Sequence, residues 1–317
     1  MSTIVCLQAL TESEAARIQA VAPQWTVVHG KEPEKWLPHL PNAEIVLGWR
    51  RTAEEACLQP GTPLRWVQTW GAGVDYVDFQ KLAQYKVMLT NASGVHAYPI
   101  SETILGMMLG FARKLHLTVR NQQRAKWESV GLLGEIHGQT VGIIGVGAIG
   151  EETARLCQAF GMHVLGVRRS GEPSPYVNEM FGEAGLTHVL SRSDFVINTL
   201  PLTPATRHIF GREQFEAMRP TAHYINIGRG GTTDTEALVE ALLTGIIAGA
   251  GLDVYEKEPL PESSPLWELE NVILTPHNAG STVHYQERAM DIFLRNLQDY
   301  VAGREPSVNR VDLDLQY

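Results

Sequence analysis

At 317 residues the chain exceeds what one ordinary hydrophobic core accommodates, so two domains are expected. Apolar residues make up 44% and charged residues 19%, the balance of a globular protein, and no apolar run approaches the roughly 18 residues that cross a bilayer. A net charge of −9 argues against nucleic acid or a membrane surface as a general partner, so any arginine cluster needs a local explanation.

The first residues, MSTIVCLQAL, lack the basic start and long apolar stretch of a secretory leader. Cys6, Cys57 and Cys157 form neither a disulfide framework nor a metal-spaced set, which suits a reducing cytoplasm and no metal. TIVCL, EIVLGW and RWVQTWG are short apolar runs between polar segments, the pattern of a parallel α/β sheet. A long helix is predicted over 97–116, with Ser101 as its cap. A second α/β unit starts afresh at 140–161, followed by strands at 195–200, 222–228, 248–254 and 271–276 and an amphipathic helix over 281–302. The implied organisation is one α/β domain interrupted by another.

Within GVGAIG, Gly145, Gly147 and Gly150 stand in G-x-G-x-x-G spacing between the strand TVGII and the helix EETARLCQAFG. The glycines serve a tight turn, close backbone approach to a pyrophosphate and close helix–strand packing. The helix start, with Ala148 and Ile149, offers unpaired N–H groups and a positive dipole end to phosphate. Turn-forming glycines alone would give the same letters; the strand before them and the helix behind them favour dinucleotide binding.

The next strand, HVLGV, runs into Arg168, Arg169 and Ser170. An NAD-preferring domain usually carries a carboxylate there for the ribose 2′-hydroxyl. Guanidinium groups instead favour a 2′-phosphate, so NADP(H) is expected over NAD(H), with two solvated surface arginines as the plainer reading. Further along, Arg229, Glu258 and His277 each follow an apolar strand, where an open α/β sheet gathers its ligand-facing residues. The arginine would hold a carboxylate and polarise the neighbouring carbonyl. The histidine would exchange the proton that accompanies hydride transfer, and the glutamate would orient the imidazole and stabilise its charged form.

Together GAGVD (71–75), NASGVHAYPISE (91–102), GIIGVGAIG (142–150), NTLPLTPATRHIF (198–210), INIGRGG (225–231), GLDVYEKEPLP (251–261) and TPHNAG (275–280) give a sequence that resembles the D-isomer-specific 2-hydroxyacid dehydrogenases over almost its whole length. The resemblance implies two Rossmann-like, doubly wound parallel-sheet domains: a flavodoxin-like substrate domain from 1–96 and 284–317, and an inserted dinucleotide-binding domain over 97–283. It implies the roles above for Arg229, Glu258 and His277, and a homodimer in which the helix after Ala97 meets a partner.

By the same resemblance the N–H groups of Ala72, Gly73 and Val74 face the substrate carboxylate. Leu200 and Pro201 wall the adenine ribose, Thr206 reaches a phosphate, and Asp253 accepts from the nicotinamide carboxamide. Ile227, Gly228 and Ala279 border the dinucleotide. Trp49, Arg50, His96 and Tyr98 are candidate substrate-pocket residues, with packing at the hinge the equal alternative for all four. His163 and His223 read as strand-edge or surface residues. At Arg168–Ser170 the chain departs from the NAD-preferring pattern and is similar to NADP-linked glyoxylate and hydroxypyruvate reductases. The implied activity is NADPH-dependent reduction of a 2-keto acid to a D-2-hydroxy acid. An NAD-preferring dehydrogenase of the same fold and a nucleotide-sensing, protein-binding corepressor stay open.

Overall fold

The computed structural model describes residues 2–315. The chain divides into two units, one taking in both chain ends (up to Val95 and from Val283) and the other spanning His96–Thr282. The first contains β1 (Thr3–Cys6), α1 (Glu12–Val21), β2 (Thr26–His29), α2 (Pro33–Trp36), β3 (Ile45–Leu47), α3 (Arg51–Cys57), β4 (Trp66–Gln68), α4 (Phe79–Gln84) and β5 (Met88–Thr90). The second starts with α5 (Ala97–Ala112), α6 (Leu115–Gln123), β6 (Thr140–Ile144), α7 (Ala148–Ala159), β7 (His163–Val167) and β8 (Glu179–Phe181). It continues with α8 (Leu186–Arg192), β9 (Phe195–Asn198), α9 (Arg212–Ala217), β10 (His223–Asn226), α10 (Thr235–Leu243), β11 (Gly249–Leu252) and β12 (Val272–Leu274). The chain then returns to the first unit as α11 (Tyr285–Val301).

In the first unit the parallel strands run in the order β2-β1-β3-β4-β5. The apolar stripe of α11, Met290, Phe293, Leu294 and Leu297, packs with Ile4, Ile45, Leu47 and Trp66 of that sheet. Burying each such side chain is worth about 1.5–3 kcal/mol, which joins the chain's last helix to its first strands. Thr11 starts α1 with a capping box: Glu14 N–H donates to its hydroxyl at 3.2 Å, and its own N–H donates to the Glu14 carboxylate at 2.7 Å.

In the second unit seven parallel strands run β12-β11-β10-β9-β6-β7-β8. The chain builds outward from β6 through β7 and β8, then resumes on the other side of β6 with β9. The loops leaving β6 and β9 therefore diverge, opening a crevice at the carboxyl ends of the strands. One sheet face packs against α5 and α7, the other against α8, α9 and α10, so the strands are buried on both faces and read as continuous apolar runs.

Several local expectations are corrected. The helix predicted over 97–116 is two helices, because the chain turns at Lys114, where φ is +50°. Ser101 is not a cap; it lies one turn inside α5, fully buried, with its hydroxyl 2.9 Å from that of Thr153 on α7. The final helix begins at Tyr285, not 281. Of the strand-edge and surface readings of His223 the first holds: it opens β10, half-buried, with its ring 4.5 and 5.3 Å from those of Phe111 and Phe195. All three cysteines are buried free thiols. Among the described residues no helix is long and apolar enough to cross a membrane.

Candidate active site

Each glycine of the loop after β6 meets a separate steric demand. Gly145 has φ +100°, and a Cβ there would lie 3.0 Å from the Thr199 hydroxyl. Gly150 could not carry one either, since it would sit 2.9 Å from the Gly145 carbonyl oxygen. At Gly147 a Cβ would meet nothing within 4 Å, so the backbone there borders open space. No side chain caps α7, and the N–H groups of Ala148 and Ile149 have no acceptor among the described residues. Open space beside glycine, orphan donors and a helix dipole together fit a pyrophosphate.

At the tip of β7, the Arg168 guanidinium donates from Nε to the Glu172 carbonyl at 2.7 Å and from Nη2 to that of Pro173 at 2.8 Å. The Glu151 carboxylate, in the first turn of α7, is 3.5 Å from Nη1. Arg169 and Ser170 are exposed beside it, and the Ser170 hydroxyl accepts from Glu172 N–H at 3.3 Å. Arg168 is thus fixed in direction by its own loop.

The three charged residues singled out in the second half stand at carboxyl ends of strands in this unit. Arg229, half-buried after β10, donates to the Gly228 carbonyl at 2.9 Å. Beneath it lies a buried polar layer that sequence reasoning missed. Asn226 Nδ2 and the Thr232 hydroxyl donate to the Arg229 carbonyl at 3.3 and 2.6 Å, and Asn198 Nδ2 donates to the Thr232 hydroxyl at 2.8 Å. The only signal was an asparagine closing both FVIN and HYIN.

His277, after β12, pairs through Nδ1 with Glu258 Oε2 at 2.7 Å. The other carboxylate oxygen accepts Tyr255 N–H at 2.9 Å, so both Glu258 oxygens are committed. His277 has φ +51°, a strained position for a non-glycine residue. Asp253 holds it there: its buried carboxylate accepts from the Thr275 hydroxyl at 2.6 Å, Asn278 N–H at 3.0 Å and Ala279 N–H at 3.1 Å. Clamping this loop is a role that the carboxamide expectation for Asp253 did not include. His96 also belongs to this unit, with Nδ1 2.9 Å from the Gly280 carbonyl. Burial, together with the Arg229 charge, holds its imidazole below the ordinary range.

Leu200 and Pro201 follow β9, and Gly228 packs so closely on Leu200 that a Cβ would lie 2.5 Å from its carbonyl oxygen. The Thr206 hydroxyl donates to the Pro201 carbonyl at 2.6 Å and accepts Thr203 N–H at 2.8 Å, so it first of all closes its own loop. Ile227 and Ala279 are buried beside these turns. In the first unit, Trp49 is buried after β3 and its Nε1 has no partner among the described residues. Ala72, Gly73 and Val74 form the turn after β4, held by Asn91 Nδ2 donating to the Ala72 carbonyl at 2.9 Å. Their three N–H groups have no acceptor among the described residues. Arg50 and Tyr98 are exposed.

The model of the D-isomer specific 2-hydroxyacid dehydrogenase NAD-binding domain matches residues 105–279, more than half of the chain. This chain belongs to the D-isomer-specific 2-hydroxyacid dehydrogenase family. It is therefore an oxidoreductase fold that works with a nicotinamide dinucleotide and a small hydroxyacid substrate. It is 37% identical over 252 residues to glyoxylate/hydroxypyruvate reductase B of Pectobacterium carotovorum, covering 78% of each chain. It is 32% identical over 301 residues to D-3-phosphoglycerate dehydrogenase of Methanocaldococcus jannaschii, covering 92% of this chain but only 56% of that relative's length. The NADPH-dependent glyoxylate/hydroxypyruvate reductase of Sinorhizobium meliloti, solved with NADP and sulfate, superposes with a TM-score of 0.84 at 28% identity, covering all of both chains.

Proposed function

We propose that this protein reduces a small 2-keto acid, glyoxylate, hydroxypyruvate or a relative of these, to the D-2-hydroxy acid, with NADPH preferred over NADH. The observation that carries the proposal is the His277–Glu258 pair, in which Nδ1 is committed to the carboxylate and Nε2 is left for substrate. When bound, the dinucleotide supplies the hydride. Arg229 grips the substrate carboxylate and draws electron density toward the keto oxygen. His277 Nε2 delivers the proton to the oxygen as it becomes an alkoxide, and Glu258 keeps the proton on Nδ1 throughout, so the ring returns to a single tautomer.

Substrate contacts from Trp49 and from the N–H groups of Ala72, Gly73 and Val74 are part of the same proposal, supported by those unmet donors. The NADPH preference is supported by Arg168, Arg169 and Ser170 standing where an acidic residue would favour NAD, and by the NADP found with the Sinorhizobium enzyme. Cofactor contacts from Leu200, Pro201, Thr206, Ile227, Gly228, Asp253 and Ala279 belong to it too. A homodimer is supported by Trp127 and Leu132, 104% and 94% exposed after α6, which a second copy would cover. A cytoplasmic site of action suits three buried free thiols.

The test is the loss of NADPH absorbance with glyoxylate, hydroxypyruvate, pyruvate and branched 2-keto acids, repeated with His277→Ala. Turnover of at least one acid, with kcat falling about 10²–10⁴-fold in the variant, is expected. No turnover with any of them would overturn the proposal and favour a sensing role.

A further inference from the structure

Two residues before Glu258, Glu256 joins three loops, and the chemistry above does not use it. Glu256 Oε1 lies 2.6 Å from His208 Nε2, and Oε2 accepts Thr235 N–H at 2.8 Å. His208 belongs to the loop after β9, Thr235 opens α10 after β10, and Glu256 sits in the loop after β11. His208 is held in place by its backbone, with φ +50° and its N–H donating to the Gly231 carbonyl at 3.0 Å. The loop that ends at His208 begins with Leu200 and Pro201.

The Glu256 loop is packed on one flank and open on the other. On one flank Gly230 presses so closely that a Cβ there would sit 1.9 Å from the Tyr255 carbonyl carbon. On the other flank the loop borders an open pocket of about 450 Å³ lined by Tyr255, Glu256, Leu260 and Pro265. Polar anchors add to that packing. The Tyr255 hydroxyl shares its one proton between the Leu252 and Thr275 carbonyls, at 3.0 and 2.9 Å, and Glu256 adds its bonds to His208 and Thr235. Burial works against its charge, yet the hydrogen bonds from Thr235 and His208 keep its carboxyl below the ordinary range. The bond from Tyr255 N–H to Glu258 spans this residue, so rotation at 256 would break it.

We infer that Glu256 and His208 are positioning residues: held by His208 and Thr235, Glu256 fixes the turn from which Glu258 addresses His277 Nδ1. The inference rests on the roles proposed for Glu258 and His277. Displacing a reacting group by about 1 Å costs on the order of 10²-fold in rate, while substrate binding need not change. Glu256→Ala should therefore lower kcat about 10–100-fold with the KM for the keto acid within about twofold. Glu256→Gln should recover most of it, because its amide oxygen accepts Thr235 N–H and its amide N–H donates to a neutral His208. His208→Ala, a change at an exposed side chain, should mimic Glu256→Ala, and the double variant should be no worse than either alone.

Hydrogen–deuterium exchange of the peptide covering 253–260 reads the same loop without turnover: faster in Glu256→Ala and His208→Ala, unchanged in Glu256→Gln. Wild-type kcat in Glu256→Ala, equal losses in the Ala and Gln variants, additive losses in the double variant, or unaltered exchange would each overturn the inference. A wild-type enzyme that turns over no keto acid would overturn the proposed reaction instead, and the exchange comparison would still decide whether Glu256 holds the loop.

Discussion

Replacing Arg168 with alanine tests cofactor choice where the geometry gives a magnitude. The side chain is 21% exposed, and the carbonyls of Glu172 and Pro173 orient it before any ligand arrives. Little rotamer freedom is then lost on binding, and a charge-assisted hydrogen bond to a 2′-phosphate is worth about 1.5–3 kcal/mol. Glu151, 3.5 Å away, offsets part of this. A net contribution of about 2 kcal/mol corresponds to a fall of about 30-fold in kcat/KM for NADPH. NADH presents only a hydroxyl at that position and should lose less than about threefold, a loss that reflects the two loop carbonyls set free. The assay is initial-rate kinetics with both cofactors at saturating keto acid, at low and high salt. The ratio of kcat/KM for NADPH to that for NADH should drop about tenfold or more, and the drop should shrink as salt screens the phosphate. Equal losses with both cofactors would show Arg168 to be a loop holder and nothing more. A wild-type enzyme that prefers NADH would refute the reasoning outright.

Glu258→Gln should lower kcat about 5–30-fold, because an amide replaces a charge-assisted bond worth about 1–2 kcal/mol more and cannot accept from both His277 and Tyr255; unchanged turnover would contradict this. Gly150→Ala would press a Cβ to 2.9 Å from a backbone oxygen, so a loss of about 1–3 kcal/mol and weaker NADPH binding are expected by thermal melting and fluorescence titration. Wild-type values for both would count against the close packing. Burial, aided by the His116 charge, pushes His223 down from 6.5 to about 4. The unfolded chain therefore binds the extra proton between those values, and stability is full above about pH 7 and falls as the pH drops toward 4. That loss is at most about 3 kcal/mol, and urea melts at pH 7.5 and 4.5 should show about 2–3 kcal/mol less of it in His223→Phe; equal pH dependence in the two proteins would rule the effect out.

The glycine loop was legible because its turn demands a residue type that no other side chain replaces: Gly145 with its positive φ and Gly150 against a carbonyl leave no alternative. Arg229, Glu258 and His277 drew attention because each charge follows an apolar run, and a parallel sheet gathers the residues that lie past its strand ends. Ser101 misled because a hydroxyl near a helix start reads as a cap whether it faces solvent or, as here, a buried threonine of α7. The break at Lys114 left no mark, since a lysine in the left-handed region differs in no letter from a helical one. Asn198, Asn226 and Thr232 became a network only once β9 lay beside β10. His208 and Glu256, 48 residues apart, likewise meet only through the order of the strands.

The most direct measurement is a crystal structure with NADP⁺ and oxamate, a pyruvate mimic that cannot react. The expected result is the oxamate carboxylate bound by the Arg229 guanidinium and its amide carbonyl oxygen about 2.6–3.2 Å from His277 Nε2. An imidazole turned away from that oxygen, or a carboxylate bound elsewhere with Arg229 uninvolved, would contradict the proposed catalytic arrangement.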